Sequence, residues 1–298
     1  MQVAERAGVP LERANRLWSA LGFVGPGDDA VVFTDDDVRA LAQVAAMVDQ
    51  GVIDRDAEAS LTRSVGQTMS RLADWQIRVL RDAVADPERA GTEQGGMAEA
   101  VAALVPVMEQ MQSYVWRRHL AAAAGRLFPV SAADPTSTTV VVGFADVVGF
   151  TRFSRTTGDA ELGAFVEHFE DASSEIVAAH HGRVVKTIGD EVMFVADDPR
   201  GAAGLALDLV ERTDADDGFP ALRVGLAYGP VLSRLGDVYG PVVNVAARLT
   251  SLARPSSVLV DRALHEALAE VPDYELRRLR RVAVRGYARL EPWALHRR

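Results

Sequence analysis

The sequence predicts an α+β protein whose first half is helical and whose second half combines strands with helices. In the first half, apolar residues recur at three- and four-residue spacing, as on the buried faces of amphipathic helices. In the second half, short runs rich in β-branched residues alternate with helical segments. The helical pattern ends and the strand pattern begins at the stretch VSAADPTST, residues 130–138, so we expect one domain over 1–130 and another over 138–298.

Five helical segments are predicted in the first half, separated by short turns or by a polar, Gly-containing stretch. They cover 2–8, 11–22, 35–50, 56–84 and 97–126. The segment 97–126 connects the two halves of the chain, and we therefore interpret it as a linker helix.

Five strands are predicted in the second half, separated by helical segments. The strands are the runs TTVVVGFADV, GRVVKTI, EVMFVA, LRVGLAYG and SSVLVD. The helices lie near 159–180, 199–213, 240–253 and 261–269. This alternation implies a sheet covered by helices, of the α/β or ferredoxin-like kind.

The composition excludes several kinds of function. The formal net charge is -10, so we expect no nucleic-acid partner and no attraction to anionic lipid. The absence of cysteine excludes a disulfide framework, a thiolate metal site and a cysteine nucleophile. Because the sequence shows neither an apolar run of membrane-spanning length nor a signal-peptide layout, we expect a cytoplasmic protein without a membrane span.

Two aspartates stand where predicted core strands end. Asp146 closes the strand TTVVVGFADV, and Asp190 follows Gly189 in a Gly-Asp pair suited to the tight turn between GRVVKTI and EVMFVA. A lone aspartate in such a place is usually a turn or strand-end residue. Side by side in one sheet, the two carboxylates suit Mg²⁺ or Mn²⁺, which prefer oxygen ligands.

A single lysine stands among 31 arginines, and it lies close to the second aspartate. Lys186 is a compact donor of single hydrogen bonds, whereas an arginine is a broad planar fork. A coding bias toward arginine also leaves stray lysines in random places. The position of Lys186 beside the carboxylates of Asp190 and Glu191 favours a pocket that donates one hydrogen bond to one atom.

A third group of polar residues lies in the segment LGDVYGPVVNVAARL. Asp237 precedes a Tyr-Gly-Pro turn, and Asn244 and Arg248 fall four residues apart on the helix that Pro241 is placed to open. Such a pair is usually an exposed polar stripe. Both residues interrupt a strongly apolar stretch, which favours a position that faces a cleft.

These three motifs resemble those of the class III nucleotidyl cyclases. FADVVGFTRFS resembles the family's first metal-carboxylate strand, VVKTIGDEVMF its second, and GDVYGPVVNVAARL its base-reading and transition-state segment. The resemblance extends over about residues 138–296. It implies a ferredoxin-like βαββαβ catalytic domain, an adenylate cyclase that converts ATP into 3',5'-cyclic AMP and pyrophosphate, and two Mg²⁺ or Mn²⁺ ions per site.

The resemblance also implies a role for individual residues. Asp146 and Asp190 would bind the metal ions. Asn244 would orient the ribose, and Arg248 would stabilise charge on the transferring phosphorus. In the family, the metal aspartates of one chain face the nucleotide-binding residues of another, so the resemblance implies a homodimer with two shared sites.

Base recognition follows from donors and acceptors. Lys186 and Asp237 take the positions with which the family reads adenine, and a donor beside an acceptor complements adenine and opposes guanine. The sequence departs from some relatives at Pro230, where they carry an arginine that binds triphosphate. Arg285 in VAVRGYARLEPWAL is our candidate for the missing contact, and a surface arginine is the alternative.

Residues 2–41 resemble a winged helix-turn-helix of the MerR type. AGVP marks the turn, and VVFTDDDV marks the end of the wing with a capped helix after it. Residues 1–56, however, hold five arginines and ten acidic residues, a balance unlike that of a duplex binder. We therefore interpret this segment as a protein-protein or regulatory module.

The remainder of the first half resembles the helical regulatory half of pH-responsive bacterial adenylyl cyclases. The resemblance implies that 1–130 is a regulatory domain and that the linker helix 97–126 passes a change in packing to the catalytic domain. His119 on this helix is a candidate pH sensor, because histidine titrates near neutral pH. A surface or packed histidine is the commoner alternative.

Two other functions fit parts of the pattern. A transcriptional or signalling regulator would carry a degenerate, nucleotide-binding cyclase domain, but the set of Asp, Lys, Asn and Arg residues is intact here. A diguanylate cyclase also places acidic residues on a hairpin, yet TIGDE lacks that family's double glycine. An assay with ATP and Mn²⁺ separates an adenylyl cyclase from the regulator, because a binding module releases no pyrophosphate.

Overall fold

The protein divides into two compact units, Met1–Leu127 and Phe128–Arg298. The computed structural model describes residues 2–23, 34–85, 96–127, 137–216, 218–234, 236–284 and 287–298. The predicted domain boundary at 130–138 lies mostly outside these ranges.

Over its described residues, the first unit consists of helices joined by turns. Its helices are α1 (Gln2–Arg6), α2 (Leu11–Leu21), α3 (Asp35–Asp49), α4 (Arg55–Ala85) and α5 (Gly96–Leu127). A small core of Ala4, Val9, Ala14, Leu17, Leu41 and Ala45 joins the first three helices. None of the helices in the described part of the chain is long and apolar enough to cross a bilayer.

A buried ion pair fastens α2 to α4. The Nη2 atom of Arg13 lies 2.6 Å from Oε1 of Glu58, and the two side chains are 9% and 1% exposed.

At the start of α3, the Asp37 carboxylate accepts the backbone N–H of Thr34 at 2.6 Å, which caps the helix as the sequence predicts. The predicted wing at 31–38 lies partly outside the described residues.

The second unit contains ten strands and five helices over its described residues. The strands are β1 (Ser137–Val147), β2 (Arg183–Ile188), β3 (Glu191–Ala196), β4 (Leu222–Arg234), β5 (Asp237–Tyr239), β6 (Ser257–Val260), β7 (Tyr274–Arg278), β8 (Val282–Val284), β9 (Tyr287–Leu290) and β10 (Trp293–Arg297). The helices are α6 (Phe150–Thr156), α7 (Asp159–Ala179), α8 (Pro199–Ala215), α9 (Pro241–Leu252) and α10 (Arg262–Leu268). The predicted strands correspond to β1, β2, β3, β4 and β6, whereas the sequence analysis missed the others.

The strand order confirms the predicted ferredoxin-like core. The main sheet runs β2-β3-β1-β4-β6-β10-β7, with β5 paired to β4. Its first four strands therefore follow the antiparallel order of a βαββαβ unit, with α6 and α7 between β1 and β2 and α8 between β3 and β4. This arrangement places β1, which ends in Asp146, between β3 and β4.

Helices cover both faces of this sheet. On one face, α7 and α8 pack against the sheet in a core that contains Phe169, Ala206 and Phe194. On the other face, which we call the α9 face, Ala246 of α9 packs with Phe144 and Met193. Side chains of a strand alternate between the two faces, so each strand residue can be assigned to one of them.

Gly225 on β4 permits the close approach of α9 to the sheet. A Cβ atom at this position would lie 2.6 Å from the carbonyl oxygen of Ala246 and would also overlap the backbone nitrogen of Thr250. The hydroxyl of Thr250 donates to the Phe144 carbonyl at 3.3 Å, which ties the same helix to β1. The absence of a side chain at Gly225 therefore fixes how closely α9 approaches the sheet.

Candidate active site

Asp146 lies in a row of charged residues that crosses three strands. Its Cα partners are Glu191 on β3 and Arg223 on β4. Residues directly opposite each other share a face, and Asp146 lies two residues beyond Phe144, so the row belongs to the α9 face. The guanidinium of Arg223 forms an ion pair with Oδ2 of Asp146.

Asp190 occupies the turn between β2 and β3, as the sequence predicts. Gly189 takes a φ of 65°, which allows a two-residue connection between the strands. The Asp190 carbonyl accepts the backbone N–H of Val147 at 3.1 Å, so the turn is held against the end of β1. The structure thus brings together the chain segments that carry Asp146 and Asp190.

The carboxylates of this region repel one another. Burial, together with the negative charges of Asp146 and Asp190, raises the pKa of Glu191 to about 7, although the Arg223 guanidinium opposes the rise. Burial also raises the pKa of Asp190, and the charge of Asp146 adds to the effect. A cluster of carboxylates with one guanidinium therefore attracts additional positive charge.

This donor set fits a hard divalent cation. Carboxylate oxygens are the ligands that Mg²⁺ and Mn²⁺ prefer, and the mutual repulsion between the carboxylates would be relieved by a cation. Within the described ranges, no three His, Asp or Glu side chains form a ready-made metal cage. A Mg²⁺ site needs only one or two carboxylates, because water and substrate phosphates complete it.

The lone lysine is paired with Asp237. The Nζ atom of Lys186 on β2 lies 2.5 Å from Oδ2 of Asp237 on β5, and the side chains are 41% and 22% exposed. Burial would raise the pKa of Asp237, but hydrogen bonds from Lys186 and from the Val238 N–H lower it below its usual value. Asp237 is therefore an ionised acceptor beside a charged donor.

Lys186 also belongs to the α9 face. Its Cα partner on β3 is Met193, which packs in the core beneath α9. Directly opposite residues share a face, so the Lys186 side chain and the row that contains Asp146 lie on the same side of the sheet. Asp146, the predicted metal ligand, and Lys186, the predicted base-reading residue, thus lie on one face of the sheet.

Helix α9 carries the third group of predicted residues. Pro241 is its first residue, and Gly240 before it has a φ of 144°. Asn244 is exposed and Arg248 is half-buried, one helical turn apart. Neither side chain is fully buried in the core between α9 and the sheet.

The remaining predictions about the site have different outcomes. Arg285 lies outside the described residues. Pro230 lies on β4 opposite Thr139, so the triphosphate arginine of some relatives has no counterpart at that position. Sequence reasoning missed Arg223, although an arginine near the start of the apolar run LRVGLAYG was a usable signal.

Comparisons with known proteins agree with this fold and site. The family described as adenylate and guanylate cyclase catalytic domain matches residues 133–297. A protein of Streptomyces coelicolor named adenylate cyclase is 40% identical over 100% of this chain and 85% of its own. A Mycobacterium tuberculosis protein named pH-sensitive adenylate cyclase is 32% identical over 91% of this chain and 70% of its own.

Among solved structures, the adenylyl cyclase CyaB from P. aeruginosa has the same fold. It superposes with a TM-score of 0.51 at 18% identity, covering 54% of this chain and 95% of that one. The sheet with its α9 face is therefore the catalytic fold of a nucleotide-cyclising enzyme. The chain belongs to the adenylate and guanylate cyclase catalytic domain family, a family that uses divalent metal ions.

Proposed function

We propose that the protein is an adenylyl cyclase that converts ATP into 3',5'-cyclic AMP and pyrophosphate. The observation that carries this proposal is the Lys186–Asp237 pair, with Nζ and Oδ2 2.5 Å apart on the α9 face. The relative from Streptomyces coelicolor, named adenylate cyclase, supports it across the whole length of the chain.

The pair is complementary to adenine and not to guanine. Lys186 donates to the N1 acceptor of adenine, and Asp237 accepts a hydrogen bond from the exocyclic amino group. Guanine presents a donor at N1 and an acceptor at O6, so both contacts would become repulsive. The hydrogen bonds that lower the pKa of Asp237 keep it ionised at neutral pH and preserve this selectivity.

Asp146 and Asp190 would hold the metal ions, which we propose are two Mg²⁺ or Mn²⁺ ions per site. When bound, such ions activate the ribose 3'-hydroxyl and neutralise charge on the triphosphate. Glu191, the Cα partner of Asp146 on β3, would add negative charge beside them, because a bound cation favours the ionised form of a neighbouring carboxyl group.

Asn244 and Arg248 would act on the reacting part of the substrate. The 3'-oxygen bonds to the α-phosphorus, the bond from that phosphorus to the pyrophosphate oxygen breaks, and the hydroxyl proton is lost to solvent. Asn244 orients the ribose so that the attack is in line. Arg248 stabilises the negative charge that grows on the transferring phosphoryl oxygens.

Two chains would share each site. A cross-strand pair of apolar residues, Leu232 on β4 and Tyr239 on β5, is about half exposed at 52% and 49%. Ile188, at the tip of β2, is 51% exposed and lies near Lys186 in the sequence. A second copy of the catalytic unit would cover these side chains and bring its own Asp146 toward the first chain's Asn244.

The first unit, 1–130, would regulate the catalytic domain 138–298 through the linker helix 97–126. Both long helices carry exposed large apolar side chains over their described residues, which suits contact with other helices. These include Trp75, Ile77, Val107, Tyr114 and Trp116. The relative named a pH-sensitive adenylate cyclase supports pH as the stimulus, and His119 is exposed on α5. We expect no nucleic-acid partner, because the formal net charge of the chain is -10.

A direct assay tests the proposal. Purified protein is incubated with Mn²⁺ and either ATP or GTP, and cyclic nucleotide and pyrophosphate are measured together. We expect equal amounts of cyclic AMP and pyrophosphate from ATP and little product from GTP, with none from the Asp146→Asn variant. Nucleotide binding without pyrophosphate release would instead identify a regulator with a degenerate cyclase domain.

Comparison of 130–298 with the whole chain tests the regulatory role. If the helical unit controls the catalytic domain, the two proteins differ in cyclic AMP production per catalytic domain across a pH series. Superimposable profiles would show that residues 1–129 do not regulate. The His119→Ala variant of the whole chain then tests whether that histidine contributes to any pH response.

A further inference from the structure

Arg223 occupies a position in the site that the proposed reaction does not use. It is the Cα partner of Asp146, and its Nη2 atom forms an ion pair with Oδ2 of that carboxylate. The two side chains are 34% and 18% exposed. A guanidinium thus lies at the carboxylate to which we assign a metal ion.

The contact between the two residues is incomplete. The Nε atom of Arg223 is buried and has no hydrogen-bond partner among the described residues. A strong arginine-carboxylate pair is usually bidentate, with two parallel N–H donors. Here Nη2 donates to Asp146 and Nε does not, so the pair lacks the second hydrogen bond that would strengthen it.

Charge explains why an arginine is placed there. Asp146 has a carboxylate neighbour, Glu191, on one side and the Arg223 guanidinium on the other. In the absence of a metal ion, removal of the guanidinium would leave partly buried negative charges unopposed. With a divalent cation bound at Asp146, the Arg223 guanidinium and the cation would repel each other.

We propose that Arg223 is an exchangeable counter-cation, which neutralises Asp146 while the metal site is empty and releases that carboxylate when a divalent ion binds. The inference rests on the proposed metal role of Asp146. Arg223 is a positioning residue in this scheme, because it acts through Asp146 and touches no substrate.

The exchange has a consequence for the reaction cycle. Competition from Arg223 weakens metal binding to the empty site, whereas the phosphates of a nucleotide bring enough negative charge to reverse the balance. Metal ions would therefore enter with the nucleotide and leave with pyrophosphate. A site without Arg223 would retain the metal ion after product release.

The test compares Arg223→Met, which removes the charge, with Arg223→Lys, which keeps it. Mn²⁺ alone is titrated into the full-length protein, and bound ion is followed by electron paramagnetic resonance. Thermal unfolding is recorded in excess EDTA and in excess Mn²⁺. Arg262→Met is the matched control, because it removes an arginine from an exposed ion pair with Glu266 on α10.

Removal of one positive charge near the ion should tighten Mn²⁺ binding by Arg223→Met about tenfold. The same variant should lose thermal stability in EDTA and recover most of it in Mn²⁺. Arg223→Lys and Arg262→Met should resemble the wild type in Mn²⁺ affinity. If Arg223→Met folds only in Mn²⁺, the exchange is supported in its strongest form.

Weaker or unchanged Mn²⁺ binding by Arg223→Met would overturn the inference, as would an equal loss of stability in EDTA and in Mn²⁺. Failure of Arg223→Met to fold in either condition would overturn it as well, because Mn²⁺ would then not replace the guanidinium. Asp146→Asn separates this inference from the proposed function. If that variant binds Mn²⁺ as the wild type does, the metal assignment itself is wrong and both fall; if it loses Mn²⁺ while Arg223→Met shows no gain, only the exchange fails.

Discussion

The ammonium of Lys186 and the carboxylate of Asp237 contact each other at 2.5 Å between β2 and β5, two strands joined to opposite sides of the β3-β1-β4 unit. The donor and the acceptor therefore hold each other in place before any nucleotide binds. A base that enters beside them needs little rearrangement of the site, which lowers the entropic cost of recognition.

Loss of either partner should impair recognition of ATP. We expect Lys186→Met to lower kcat/KM for ATP by about 100-fold, because it removes a charged donor and leaves the Asp237 carboxylate without its partner. The Lys186 side chain is 41% exposed, and an ion pair that is open to solvent contributes little to stability, so thermal stability should change little. The measurement is steady-state kinetics with ATP and with GTP, alongside a melting curve.

Lys186→Arg is the informative companion to that variant. A guanidinium keeps the charge but presents a broad fork, so activity with ATP should stay well below wild type. Wild-type activity in Lys186→Arg would show that charge alone matters at this position. It would also remove the argument that the only lysine of the chain was retained for its shape.

The shared-site arrangement can be tested by mixing two inactive proteins. Asp146→Ala and Asn244→Ala chains should each be nearly inactive, because every site of either homodimer lacks one essential group. A heterodimer of the two contains one site with both residues intact, so co-expression should restore cyclic AMP production to about a quarter of the wild-type level, since half of randomly paired dimers are mixed. Mixed dimers are isolated with two affinity tags.

Proven exchange of chains without any return of activity would exclude sites built from two protomers. A mixture of Asp146→Ala with Asp190→Ala chains is the control for this experiment. If Asp146 and Asp190 of one site come from the same chain, each site of a mixed dimer lacks one of the two aspartates. A fully intact site could form only if the two aspartates of a site came from different chains. We expect this control pair to remain inactive.

The sequence predicted those parts of the site that depend on local pattern. Asp146 and Asp190 were identified because strand periodicity and a Gly-Asp turn are visible over a few residues, and the structure places both at the expected strand ends. Arg223 was missed because its pairing with Asp146 joins residues 77 apart in the chain. Register between distant strands is a property of the folded sheet.

The strands beyond residue 270 were missed for a related reason. β7, with the sequence YELRR, is the edge strand at one end of the sheet and is rich in charged residues. Neither β7 nor its neighbour β10, with the sequence WALHR, has the β-branched residues by which β1 was identified. Their pairing with each other and with β6 is what makes them strands.

Gly225 gives a packing prediction. We expect Gly225→Ala to destabilise the catalytic unit by about 2 kcal/mol, because the new methyl group would displace α9 from β4. Displacement of α9 moves Asn244 and Arg248, so kcat should fall as well. Denaturant unfolding and steady-state kinetics measure the two effects.

Gly163→Ala is the matched control for Gly225→Ala. Gly163 lies within α7, and a Cβ atom there would meet no atom within 4 Å. Alanine is the better helix former by about 1 kcal/mol, so this variant should be as stable as the wild type or more so. A Gly225→Ala protein that is equally stable and active would show that α9 is free to shift on the sheet.

Asp261 gives a prediction about pH. Its side chain caps α10, accepting the Leu264 N–H at 2.9 Å and the Tyr228 N–H at 3.2 Å. Burial raises the pKa of Asp261 from 3.8 to about 6, an effect that these hydrogen bonds only partly offset. At about 1.4 kcal/mol per pKa unit, ionisation of the buried carboxylate costs the folded state about 3 kcal/mol.

The sign of the effect follows from proton binding. Between the unfolded and folded pKa values the native state binds more protons, so this residue lowers the free energy of unfolding as the pH rises from about 4 to about 6, and the full cost persists above that range. Asp261→Asn keeps an oxygen acceptor for both N–H groups and removes the charge. We therefore expect Asp261→Asn to be more stable than the wild type by up to about 3 kcal/mol near pH 8, with the difference vanishing near pH 4. Urea unfolding at both pH values measures this, and an Asn variant that is less stable than the wild type near pH 8 would show that the hydrogen bonds to the ionised carboxylate outweigh the cost of burying it.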